Sequence, residues 1–73
     1  MSVFVVCLYY WDLNCDFDYI KDILGTFDTL EKAVTFSSYY KVEKYHEIEI
    51  QKWESEKKIG TYYADGTINP YDS

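Results

Sequence analysis

Apolar and polar positions divide this chain into five patterned stretches. The first, Val3 to Trp11, is an unbroken apolar run of mostly β-branched and aromatic residues, the types that fit a pleated strand. Phe4, Val6, Leu8 and Tyr10 would line one face, and Val3, Val5, Cys7, Tyr9 and Trp11 the other. A strand apolar on both faces belongs at the centre of a sheet or under cover on both sides. The run falls far short of the ~20 residues of a membrane helix. After the acidic turn at 12–18, Tyr19 to Phe27 regains strand character, with Ile20, Ile23, Leu24 and Phe27 apolar. A second strand antiparallel to the first is expected, although Lys21-Asp22 interrupts the pattern and a short helical turn is the alternative there.

Asp28-Thr29-Leu30-Glu31 opens a helix: Asp28 can cap the unpaired amides, and Glu31 can reach back to the cap. Leu30, Ala33, Val34, Ser37 and Tyr40/Lys41 then recur at helical spacing, with Phe36 and Tyr39 widening the stripe, so a helix is placed at about 29–40. From Tyr45 the period drops to two. His46, Ile48, Ile50 and Lys52 share one side of a third strand; Tyr45, Glu47, Glu49, Gln51 and Trp53 share the other. Residues 54–58 turn the chain, Ile59 to Ala64 forms a fourth strand, and Asp65-Gly66 is a tight-turn dipeptide. The pattern predicts an α+β protein, ββαββ, with a four-stranded antiparallel sheet and one helix packed on one face. The domain is expected over 1–68, with 69–73 a flexible tail. One helix cannot cover both faces, so the other is expected to be open.

With 73 residues there is room for one domain, which buries only about 60% of its unfolded surface. Nine Tyr, four Phe and two Trp are more rings than one small core can hold, at ~150–250 Å² each. Many must lie at the surface, where Tyr and Trp anchor protein contacts or, alternatively, a homo-oligomer. Formal charge is −6 and every cation is a lysine. Without arginine's planar fork, nucleic-acid binding and an anionic nucleotide pocket are disfavoured, and a basic protein partner is the favourable match. Two cysteines make no disulfide framework, and no secretory leader pattern is present, so a cytoplasmic location is expected.

The stretch Gly25-Thr26-Phe27-Asp28-Thr29-Leu30-Glu31-Lys32-Ala33, a strand end followed by a capping box, resembles short proteins common in phage and prophage genomes. The strands Val3 to Tyr10 and Glu47 to Trp53 fit the same layout, so the similarity covers most of the chain. The resemblance implies the ββαββ fold and a phage origin, and it brings no catalytic residues. Small acidic phage proteins of this size are often inhibitors of host defence, anti-CRISPR proteins among them, which sets an expectation by analogy.

Candidate chemistry is sparse. Asp12-x-Asn14-x-Asp16-x-Asp18 begins like a calcium loop, but Phe17 and Ile23 stand where the glycine and the bidentate glutamate are needed. His46 has no close ligand pair for zinc and nothing orients it toward Cys15. The three glycines stand singly, so there is no phosphate loop. No catalysis, metal or cofactor is expected. Glu47 and Glu49 sit two apart on a strand, about 6.5–7 Å, close to the phosphate spacing of an extended nucleic-acid strand. The favoured reading is an inhibitor that docks on a basic, nucleic-acid-binding host protein such as a CRISPR effector and blocks its groove. Asp12, Asp16, Asp18, Glu47 and Glu49 would supply charge; Trp11, Trp53, Tyr39 and Tyr40 would supply apolar anchors. The alternative is a structural or accessory homo-oligomeric module without an electrostatic target.

Overall fold

The computed structural model describes residues 2–11 and 19–70. Its elements are β1 (Ser2–Tyr10), β2 (Tyr19–Phe27), α1 (Leu30–Tyr39), β3 (His46–Glu54) and β4 (Lys57–Tyr63). The strands form one sheet in the order β2-β1-β3-β4, with every neighbouring pair antiparallel. The fold is therefore the α+β, ββαββ arrangement that the hydrophobic pattern calls for. The doubly apolar β1 lies inside the sheet, between β2 and β3. The connection through α1 carries the chain from one side of β1 to the other.

Strand periodicity decides which side chains meet the helix. Phe4 and Val6 of β1 join Ile48 and Ile50 of β3 and Ala33 of α1 in a buried core, with Leu24, Phe27, Leu30, Val34, Phe36 and Tyr62 packed around it. On the opposite face, Val5 pairs with Gln51, Cys7 with Glu49 and Tyr9 with Glu47. No element covers that face among the described residues. Cys7 is nonetheless only 1% exposed, because its strand neighbours close over so short a side chain.

Strand β2 reaches its place through two register shifts against β1, beside Val6/Cys7 and beside Leu8/Tyr9. Ile23 pairs with Cys7 and Ile20 with Tyr9, so both point away from the helix, while Leu24 and Phe27 pack on the core. The helix-like spacing of Ile20, Ile23, Leu24 and Phe27 is thus met by a bulged strand, and no helical turn forms at Lys21-Asp22.

The helix begins one residue later than the capping box suggests. Thr29 is the cap: its backbone is extended and its Oγ1 accepts from the Lys32 N–H at 3.2 Å. A cap reaches the amide three residues ahead, and from Thr29 that amide is Lys32. Asp28 instead takes the Lys32 ammonium at 2.9 Å, which holds its carboxyl below the usual carboxylate value. Ala33 and Ser37 are buried, and the Ser37 hydroxyl is satisfied by the Ala33 carbonyl at 2.8 Å. Tyr39, expected to widen the apolar stripe, is the last helical residue and is 86% exposed.

Two turns bracket β4, one at each end. Glu54 and Lys57 pair across a two-residue loop, with φ of 50° at Ser55 and 66° at Glu56. After β4 the turn at Asp65-Gly66 is a three-residue loop: Gly66 N–H donates to the Tyr63 carbonyl and Tyr63 N–H to the Thr67 carbonyl. Gly66 has φ of 90°, and a Cβ there would lie 3.0 Å from Val34, so only glycine fits. Beyond it Ile68 bridges Tyr62, and Asn69 N–H donates to the Thr61 carbonyl. Asn69, where the tail was expected to begin, is therefore tied to the edge of β4.

Candidate functional site

The open face of the sheet is built from cross-strand pairs. One row runs Ile20, Tyr9, Glu47 across β2, β1 and β3; the next runs Ile23, Cys7, Glu49, Tyr63 and reaches β4. Two carboxylates on β3 are thus flanked by a tyrosine on each neighbouring strand. Between them lies a groove of about 570 Å³, lined by Tyr9, Ile20, Glu47, Glu49, Lys58 and Tyr63 among others. Exposed apolar residues share this face: Ile20 and Tyr63 line the groove, Ile23, 61% exposed, pairs with Cys7, and Val3 lies farther along β1 beside Trp53.

Side chains along β3 hold one another in order. Trp53 Nε1–H donates to Gln51 Oε1 at 3.0 Å, and Gln51 Nε2–H donates to Glu49 Oε2 at 2.9 Å. The row starts in a ring and ends at a carboxylate, which is thereby aimed. Glu49 is half-buried, and Glu47, next on the same side, is exposed. Cys7, paired with Glu49, has its thiol pushed up to about 11, first by burial and then by the Glu49 charge, with Lys58 opposing. Such a thiol stays protonated at neutral pH and is a poor nucleophile.

The residues singled out in the sequence do not all come together. Glu47, Glu49 and Trp53 share the open face. Trp11 sits at the end of the sheet, its backbone N–H donating to the Tyr45 carbonyl and its ring edge-on to Tyr45 at 5.7 Å. Tyr39 and Tyr40 lie on the helix side instead, with Tyr40 stacked on Phe36 at 6.2 Å, so they cannot act with the β3 row against one flat partner surface. Asp12, Asp16 and Asp18 fall outside the described residues. Of the described aromatic residues only Phe4 is buried, and the surplus of rings is at or near the surface.

His46 takes a structural place. Its Nδ1 lies 2.9 Å from the Lys44 carbonyl, so it carries the proton, and its Nε2 accepts from the Lys21 ammonium at 3.2 Å. Its ring meets Tyr10 edge-on at 5.2 Å. Among the described residues no group of three His, Cys, Asp or Glu side chains is placed to hold a metal ion, and no helix is long and apolar enough to cross a membrane.

Tyr9, Ile20, Ile23 and Tyr63 share this face with the glutamates and were not among the candidates the pattern offers. Each stands in a strand pattern, but its place beside the glutamates depends on register, which pattern alone does not give. Comparison with protein-family models, curated proteins and solved structures returns no match.

Proposed function

We propose that this protein is an inhibitor acting by protein–protein contact, docking through its open sheet face on a basic, nucleic-acid-binding host defence protein and blocking the nucleic-acid site. The observation that carries the reading is that face: unpaired with any second layer among the described residues, with Glu47 beside Tyr9, Glu49 beside Tyr63, and Ile20 and Ile23 exposed on the outer strand β2. A net charge of −6 favours approach to a cationic groove, and the apolar rim supplies contact area. The resemblance to short phage proteins agrees with this reading.

The test is competition. A purified RNA-guided nuclease is loaded with labelled target duplex and titrated with the protein at rising salt. Displacement is expected, weakening as salt screens the charges and lost in the double variant Glu47→Lys/Glu49→Lys. No displacement from any of a panel of such effectors, or displacement indifferent to charge reversal, overturns the reading.

A second reading has its own support in Val3, Ile20, Ile23 and Tyr63, whose exposure suits a homo-oligomer joined face to face. Sedimentation of the isolated protein separates the two. A dimer that persists at high salt and is broken by Ile23→Lys favours the second; a monomer favours the first.

A further inference from the structure

The groove on the open face has a more specific chemistry than a generally acidic surface. We propose that it is a slot for an arginine side chain of the partner; the partner's identity as a nucleic-acid-binding protein rests on the reading above, but the slot does not. The floor is the pair Glu47 and Glu49, about 6.5–7 Å apart along one strand. The walls are Tyr9, paired with Glu47 from β1, and Tyr63, paired with Glu49 from β4. Directly opposed side chains stand about 4.5–5.5 Å apart at Cβ, so each carboxylate has a phenol ring beside it.

A guanidinium answers both features. It is planar and stacks on an aromatic face, and its N–H fork matches a carboxylate in two parallel bonds. An ammonium is a compact, strongly hydrated point charge that uses the ring wall less well. Glu49 is also held in advance by Gln51 and through it by Trp53, so binding need not order that carboxylate first. Arginine is absent from this chain, and the only cations here are lysines, so no guanidinium of its own competes for the slot. One of those lysines, Lys58, lines the groove, so its charge opposes an incoming cation. The volume, about 570 Å³, admits one long side chain together with the backbone that carries it.

The experiment uses the whole protein, isotope-labelled, titrated with a short glycine–serine peptide carrying a single arginine and watched by amide and side-chain resonances. Matched peptides carry citrulline, which keeps the shape without the charge, or lysine. Expected are saturable shifts centred on Tyr9, Glu47, Glu49 and Tyr63, with affinity lower by about ten- to a hundredfold for citrulline and for the isosteric variants Glu49→Gln and Glu47→Gln. Lys58→Gln, which removes a like charge lining the groove, tightens binding. Retained resonance dispersion shows that the variants fold. Equal affinity for citrulline, equal or higher affinity for lysine, or shifts centred on Asp28 and Glu31 at the start of α1, overturns the slot. Arginine binding without nucleic-acid displacement by the whole protein leaves the slot standing and removes the inhibitor reading. Displacement without arginine binding does the reverse.

Discussion

The loop joining β3 to β4 is held in a conformation that its residues resist. A two-residue hairpin loop with positive φ at both positions is the type I′ arrangement, which favours Asn-Gly because side chains with a Cβ are crowded there. Here the positions are Ser55 and Glu56, at φ of 50° and 66°. The left-handed region costs a residue with a Cβ roughly 1–2 kcal/mol. Replacing Glu56 by glycine removes that cost and adds about 0.5–1 kcal/mol of chain entropy to be lost on folding. The net gain is roughly 0.5–1 kcal/mol, and Ser55→Asn adds some tenths, because Asn tolerates this region. For a domain of this size each kcal/mol moves Tm by about 4–8 °C, so Ser55→Asn/Glu56→Gly should melt roughly 5–10 °C higher. Thermal and urea unfolding followed by circular dichroism read this directly. Glu56→Gln changes the charge by the same amount without relieving the backbone and should stay within about 0.5 kcal/mol of the parent. Thr26→Gly, in β2 where φ is negative, should lose about 0.5–1 kcal/mol. If Glu56→Gly is no more stable than Glu56→Gln, the account of the loop is wrong.

Three further outcomes follow from other parts of the molecule. Thr61 is 1% exposed and its Oγ1 has no hydrogen-bond partner among the described residues, so the isosteric Thr61→Val should gain about 1 kcal/mol in urea denaturation, and a loss would contradict the burial argument. The Asp65 carboxylate accepts the Thr67 hydroxyl at 2.7 Å and the Thr67 N–H at 3.0 Å, which lowers its pKa below the usual value. A depressed folded-state pKa gives stability that is present above the unfolded value and lost as pH falls through the folded one. The margin of the parent over Asp65→Asn should therefore be constant above about pH 5 and shrink below it; a margin unchanged down to about pH 2 refutes the linkage. Trp53→Phe keeps an aromatic ring, though a smaller one, but removes the indole donor to Gln51, so it should lower Tm only slightly and weaken arginine-peptide binding severalfold. Undiminished binding would show that the row along β3 does not hold Glu49 in place.

How far the chain could be read depended on whether one periodicity ruled each stretch. Alternation in β3 placed Ile48 and Ile50 in the core and Glu47, Glu49 and Trp53 on the other face, because period two leaves little freedom once one face is buried. The doubly apolar β1 belonged inside the sheet for the same reason. Strand β2 was harder, since its two bulges convert a period of two into a spacing that looks helical. The capping signal placed the helix start to within one residue but named the wrong cap: Asp28 and Thr29 both carry acceptors, the Lys32 ammonium took the first, and Thr29 capped the Lys32 amide, which left Glu31 outside the box. The site was half legible. Which residues share a strand face can be read from the chain, but which neighbours stand beside them needs register, and so Tyr9 and Tyr63 were passed over. Tyr39 and Tyr40 belong to the helix layer and not to the glutamate face, a distinction that a count of rings does not carry.

The row Trp53–Gln51–Glu49 gains its meaning from what it does not contribute. Fixing a long polar side chain such as Gln or Glu costs up to about 1.5–2 kcal/mol of rotamer freedom. A hydrogen bond between half-exposed polar groups returns a net of only about 0.5–1.5 kcal/mol. Two such bonds, at 3.0 and 2.9 Å, therefore about offset the order they impose and add little to stability. A fold gains nothing by holding a carboxylate still on an uncovered sheet face. A binding surface does, because the ordering has already been met before the partner arrives, and the attraction to an incoming cation is then realised in full. The same face keeps Ile20 and Ile23 exposed two strands away from that carboxylate, where the bulges of β2 put them. Apolar rim and aimed charge arise from separate features of the sequence, one from strand irregularity and one from strict alternation, and their convergence on one face is the strongest reason to look for a partner there.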